Sequence, residues 1–154
     1  MSNGRVASLH LHPAQGGTPM DPAVVLELEA GKGIAGNRRY FNRGSRRQVS
    51  LIEREQMAAH AAALGRSPFQ PGDARSDIET EGIDLVPLVG RRLAIGTAVI
   101  EVYAPRDPCA KMDALAPGLR DLMMPQRQGV MATVVHSGTV CCGDGIRILA
   151  PEGA

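Results

Sequence analysis

Arg92-Leu-Ala-Ile-Gly-Thr-Ala-Val-Ile-Glu-Val-Tyr103 is the stretch on which the fold turns. Two short apolar-alternating runs, Arg92 to Ile95 and Ala98 to Tyr103, flank Gly96-Thr97. A two-residue connection with glycine in it is the chemistry of a tight β-hairpin, because such a turn needs a left-handed residue. The same grammar recurs outward in both directions. Arg5 to Leu11 alternates mildly and ends at His12-Pro13, before the turn-rich loop Gln15-Gly-Gly-Thr-Pro-Met20. Ala23 to Ala30 sets Leu26, Leu28 and Ala30 on one face and Glu27 and Glu29 on the other, the pattern of a half-buried strand. Gln48-Val-Ser-Leu-Ile reads as a further strand. Toward the C-terminus, Val130 to His136 and Thr139 to Cys142 meet at Ser137-Gly138, and Gly143-Asp-Gly turns into Ile146-Arg-Ile-Leu149.

One segment breaks the pattern. Residues 53–64, Glu-Arg-Glu-Gln-Met-Ala-Ala-His-Ala-Ala-Ala-Leu, have acids in the first turn and alanine in the interior, with Gly65 where a terminating glycine belongs. That is the one clear helix; shorter ones are expected after Cys109 and from Pro117 to Met124. Many short strands, Gly and Pro turns and one good helix predict a mainly β protein built as a closed or partly closed barrel. Without repeat, linker or low-complexity tract, residues 1–154 are expected to form one domain.

Composition narrows the chemistry. Apolar residues are 44% but aromatics only 3%, so the core must be aliphatic. A net charge of +1 gives no field that argues for nucleic acid or an anionic membrane. No apolar run approaches the ~18 residues of a membrane-spanning helix, and the N-terminus lacks the pattern of a signal peptide. Three cysteines, two of them adjacent, do not form a disulfide framework, and the expected compartment is the reducing cytoplasm. Lys32 and Lys111 are the only lysines, so arginine carries nearly all of the positive charge, and its rigid fork suits phosphate and carboxylate.

The candidate motifs are unequal. Gly31-Lys-Gly-Ile-Ala-Gly36 lacks the spacing and Lys-Ser/Thr ending of a phosphate loop, and reads as a mobile connection to the basic stretch Arg38 to Arg47. His10 and His12 share one side of an extended strand, yet no second ligand pair has metal-binding spacing. Cys141 and Cys142 face opposite sides at a strand end, so one is expected to fill the core. Cys109 stands apart, stiffened by Pro108 and followed by a helix start. Arg106, Lys111 and the helix N–H groups favour negative charge on its sulfur, whereas Asp107 and Asp113 oppose it. In Arg75-Ser-Asp-Ile, an extended backbone would project Arg75 and Asp77 to one face as a cation beside an acceptor.

In order along the chain stand Gly33-x-x-Gly36, Arg47-Gln-Val-Ser-Leu-Ile, Arg75-x-Asp-Ile-x-x-x-Gly82-Ile-Asp-Leu and Gly90-x-x-Leu-x-Ile-Gly96. Arg106-x-Pro-Cys109-x-Lys111 and Gly129 through Val140 to Gly143-Asp144 follow. This ordered set, spanning about residues 33–148, resembles the MOSC domain, named for the C-terminal domain of molybdenum cofactor sulfurases. The resemblance implies a barrel of the MOSC type, similar to the pyruvate-kinase barrel, with a loop cysteine of special importance. That cysteine, Cys109, would carry a persulfide or bind molybdenum. Arg75, Asp77, Arg47 and Lys111 would face the cofactor, Arg75 lying near a pterin phosphate. The implied reactions are sulfur transfer, or reduction of N-oxygenated compounds at molybdenum. The implied partners are a cysteine desulfurase, a molybdenum-cofactor enzyme or a small-molecule substrate, with pyridoxal phosphate on the desulfurase rather than on this chain. The chain departs from the family at Asp77, where Asn is common, and at Gly36-Asn37, where Gly-Asp is common. The alternative reading is a non-catalytic β-barrel module that binds a small anion or a partner protein.

Overall fold

The computed structural model describes residues 3–13, 19–37 and 45–151, so part of the turn-rich loop (14–18) and residues 38–44 of the basic stretch lie outside the described residues. In chain order the strands are β1 (Gly4–Leu11), β2 (Asp21–Ala23), β3 (Val25–Glu29), β4 (Gly33–Ile34) and β5 (Val49–Glu53). Helix α1 (Arg54–Ala63) precedes β6 (Ile78–Glu81), β7 (Arg92–Ile95) and β8 (Ala98–Pro105). Helices α2 (Ala110–Leu115) and α3 (Leu119–Met123) then lead to β9 (Val130–His136), β10 (Gly138–Cys141) and β11 (Gly145–Ile148).

Seven strands close a barrel in the order β11-β7-β8-β9-β5-β6-β1, and β1 returns to β11 through Gly4 opposite Ile146 and Arg5 opposite Gly145. The β7–β8 hairpin forms as the sequence predicts. Ile95 pairs with Ala98, and Gly96 takes the left-handed position at φ 56°. Closure removes the unpaired edges that would otherwise template aggregation. Every barrel pairing is antiparallel except β5–β6, where Leu51 lies opposite Ile78. Parallel neighbours need a long crossover, which α1 and the loop after it provide.

The barrel interior is aliphatic, with Val6, Leu9, Leu51, Ile78, Leu93, Ile100, Val102 and Val130 buried among its core. β5 is buried on both faces, which is why it reads as a run rather than an alternation. Leu51 points into the barrel, whereas the next residue, Ile52, points out and meets Met57, Met112, Leu119 and Met123 beneath the three helices. This outer layer fixes α2, and hence Cys109, against the barrel wall. Helix α1 ends as its sequence requires, with Gly65 N–H on Ala62 O at 3.1 Å and Arg66 N–H on Ala61 O at 3.1 Å. That pair of bonds is the glycine-terminated Schellman closure.

One local reading is corrected, and one strand takes a distant partner. Gly31–Gly36 is not a free loop: β4 pairs with β3 and buries Ile34 in the core. The strands on either side of Ser137-Gly138 do not pair with each other. β9 stays in the barrel between β8 and β5, and β10 leaves to pair with β3. Gly138 passes so close to Thr97 and Ala98 that a Cβ there would overlap their backbone. Thr139 N–H donates to Thr97 Oγ1 at 2.8 Å, so the chain is held over the β7–β8 turn instead of folding back.

Candidate functional site

The end of β8 delivers the cysteine loop. Arg106 N–H bonds to Gly129 O at 3.0 Å, continuing the barrel ladder one residue beyond the strand, and Pro108 is buried. Cys109 then becomes the N-cap of α2, extended at φ −117° and ψ 177°, with its carbonyl accepting from Met112 N–H at 3.0 Å. Its side chain is exposed, and no disulfide engages it.

A tight turn brings Arg75 to the same place. Gln70 N–H donates to Asp73 Oδ2 at 2.8 Å, Gly72 N–H to Glu79 Oε2 at 2.7 Å, and Arg75 N–H to Gly72 O at 3.0 Å. Arg75 itself stands at φ 58°. An L-residue in that left-handed region stores about 1–2 kcal/mol of strain. The extended reading of Arg75-Ser-Asp is therefore corrected: Arg75 is left-handed and the strand begins only at Ile78. Arg106 clamps the turn, its Nη1 donating to Ser76 Oγ at 2.8 Å and to Ala74 O at 3.3 Å.

The result is a cleft of about 380 Å³ lined by Arg47, Arg75, Arg106, Lys111 and Cys109, with His12, Tyr103, Asp107, Gln128 and Met131 also on its walls. Four permanent cations face one carboxylate, Asp107, in a chain whose net charge is only +1. The positive charge is thus focused where the thiol is. A second trough of about 400 Å³, walled by Pro19, Met20, Pro71 and Leu115, shares Arg75, Lys111 and Met112 with the first.

Asp77 lies beneath this cleft rather than on its wall. Its Oδ2 accepts from Ser50 N–H at 2.9 Å and from Ser50 Oγ–H at 3.0 Å, while Asp77 N–H donates back to Ser50 Oγ at 3.0 Å. Its Oδ1 accepts from Asn37 Nδ2 at 3.1 Å and sits 3.5 Å from His12 Nε2. Burial pushes the Asp77 carboxyl up to about 6, against the lowering effect of the Ser50 bonds, Arg106 and Asn37. Asn37 Oδ1 accepts from His12 N–H at 2.6 Å, so the buried carboxylate supports the residue that carries His12 to the cleft.

His10 and His12 do not converge on a metal. His10 is buried with Nε2 2.8 Å from Ser8 Oγ and 3.5 Å from Glu79 Oε2, whereas His12 turns to Asp77. Burial lowers the His10 pKa, with Glu79 opposing and Arg54 adding to the shift. Among the described residues no three His, Cys, Asp or Glu side chains cluster as metal ligands. Cys141 and Cys142 are both exposed, correcting the expectation that one fills the core. Cys142 Sγ lies 3.5 Å from Ala23 O instead.

Arg106 and Gln128 join the cleft without having been singled out as binding residues from sequence, and His12, weighed only as a metal ligand, joins them. Arg106 had a signal, lying three residues before the cysteine. Gln128 had none beyond its place before Gly129.

A closed seven-stranded barrel with a cysteine loop at a cation-lined cleft defines a class of small β-barrel domains. The MOSC domain model matches residues 38–147, and the chain belongs to that family. The YuaD protein from Bacillus subtilis superposes with a TM-score of 0.80 at 20% identity, over 94% of each chain. YiiM from Geobacillus stearothermophilus gives 0.74 at 17% identity, over 96% of this chain and 75% of that one. YiiM from Escherichia coli gives 0.70 at 19% identity, over 97% and 72%. At these identities the likeness is one of fold. Comparison with curated proteins returns no match. Among the described residues no helix is long and apolar enough to cross a membrane.

Proposed function

We propose that the chain handles sulfur and molybdenum through Cys109, with Arg47, Arg75 and Lys111 holding the anionic part of a molybdenum-bearing pterin cofactor. The observation that carries this reading is the shared cleft: an exposed thiol and four cations open onto one space of about 380 Å³. That volume lies in the range of ordinary small-molecule sites. Thiolate is a soft ligand suited to such a metal, and guanidinium forks match phosphate oxygens. Cys109 supplies one thiolate sulfur, and Arg47, Arg75 and Lys111 supply donors for an anionic group on the same cleft. The donor set therefore fits the group.

When bound, the cofactor would supply two-electron redox chemistry, such as reduction of an N-oxygenated compound. The chain's own residues do the rest. Cys109 offers its sulfur at the start of α2, and Arg75 is presented by a strained turn that Arg106 and Glu79 hold closed. Asp77 supports the cleft from below, its charge turned toward Ser50 and Asn37 and away from the ligand space. A second reading is a persulfide carrier, favoured by the exposure of Cys109, which leaves its sulfur open to a donor such as a cysteine desulfurase.

Metal and pterin analysis of protein purified without oxygen from a cofactor-producing host tests the proposal, with Cys109→Ala alongside. Molybdenum and pterin near one per chain in wild type, lost or sharply reduced in the variant, is the expected result. Equal molybdenum in both rules out Cys109 as ligand. No molybdenum, but 32 mass units added at Cys109 after incubation with a desulfurase and cysteine, selects the carrier reading; neither signal refutes both.

A further inference from the structure

We infer that Gln128 is a specificity residue of the cleft, and that the ligand carries a neutral N–H or O–H donor, close to its anionic group, for the Gln128 carboxamide to read. The inference rests on the cleft being the ligand site proposed above. Gln128 is 1% exposed and lines the cleft together with Arg75, Arg106 and Cys109. Its Oε1 is buried and, among the described residues, has no hydrogen-bond partner. Buried polar side chains are nearly always satisfied, and an apolar residue of similar size would fill the space without leaving an acceptor unpaired.

The backbone around Gln128 is fixed on both sides. Arg127 O lies 3.0 Å from the ring nitrogen Nε2 of the buried His60, and Arg127 N–H donates to Met123 O at 2.8 Å. Gly129, at φ 76°, packs so close to Leu51 and Ile52 that a Cβ would overlap their backbone, and its carbonyl accepts from Arg106 N–H. The carboxamide is thereby held where the barrel wall meets the cysteine loop. Because Gln128 lines the cleft, a donor on a ligand held there is the partner its Oε1 lacks among the described residues. Cations read the charge and shape of an anionic group, not the neutral part of the ligand beside it. A buried acceptor does read that part, because a ligand lacking the donor leaves it unpaired.

The test compares two bicyclic monoacids of similar size at pH 7 by titration calorimetry on the full chain. Pterin-6-carboxylate carries N–H donors; 2-naphthoate carries none. Wild type is expected to prefer the pterin acid by about tenfold or more. Gln128→Met should abolish that preference with 2-naphthoate affinity unchanged, and Gln128→Glu, which keeps an acceptor, should retain it. The unliganded Gln128→Met protein should melt no lower than wild type, since it loses an unpaired group. A preference that survives in Gln128→Met overturns the inference, as does a wild type that takes neither acid or both equally. So does a large drop in the melting temperature of the unliganded variant, which would make Gln128 a packing residue. Failure of the cofactor reading shows up separately, as absence of molybdenum and pterin from the purified protein, and leaves the acid preference measurable.

Discussion

Replacing Ser50 with alanine probes the support beneath the cleft and has a consequence that depends on pH. Ser50 Oγ–H donates to Asp77 Oδ2, and the same oxygen accepts from Asp77 N–H, each at 3.0 Å. Deleting the hydroxyl removes a bond to a charged acceptor, a loss of about 1.5–3 kcal/mol, and leaves a buried N–H without a partner, about 1–3 kcal/mol more at full cost. Since the two effects share one oxygen and the site relaxes in part, a net loss of about 3 kcal/mol at pH 8 is expected. Burial has already raised the Asp77 carboxyl from 3.8 to about 6. The folded chain thus holds this proton more tightly than the unfolded chain, and the group's contribution to stability improves as pH falls from about 6 toward 4. Ser50→Ala removes one of the bonds that favour the carboxylate and raises the folded value further. At pH 5 the carboxyl is mostly protonated in both proteins, and the deficit should shrink to about 1–2 kcal/mol, the cost of neutral bonds alone. Urea unfolding at pH 8 and pH 5 reads both numbers. A deficit equal or larger at pH 5 would refute the assignment of Ser50 as the partner of a charged Asp77.

Leu51→Ala, which opens a cavity inside the barrel, should cost about 2–5 kcal/mol in the same urea assay; a loss under 1 kcal/mol would contradict the packed interior. Native protein should show three accessible thiols with a disulfide reagent, because Cys109, Cys141 and Cys142 are all exposed; two would restore the buried-cysteine expectation. Arg106→Met should free the turn that carries Arg75, seen as faster proteolysis in the 70–76 segment. Unchanged cleavage there would remove Arg106 from its clamping role.

The barrel was legible because its signals are local. Leu26 and Leu28 alternate with glutamates, Gly96-Thr97 marks a hairpin, and Gly65 ends a helix; each feature spans a few residues and formed as read. The three-dimensional site was legible only in part. Asp77 is joined to Ser50 across 27 residues and to Asn37 across 40, and no local pattern marks such partners. The left-handed Arg75 was missed because only one of the turn's side-chain bonds, from Gln70 to Asp73, is local; Glu79 and Arg106 hold it from outside the segment. The partner of β10 has no local sign, because its choice of β3 over β9 depends on the close passage of Gly138 over Thr97, a contact between segments 41 residues apart.

If Cys109 and the cations beside it form one anion-binding site, a bound anion should shield the thiol. Site-resolved alkylation, followed by mass spectrometry, tests it with Cys141 and Cys142 as controls in the same molecule. Pyrophosphate added at constant ionic strength should slow modification of Cys109 several-fold and leave the other two thiols unchanged, and Arg75→Ala should weaken that protection. Equal rates at all three cysteines with and without pyrophosphate would contradict the claim.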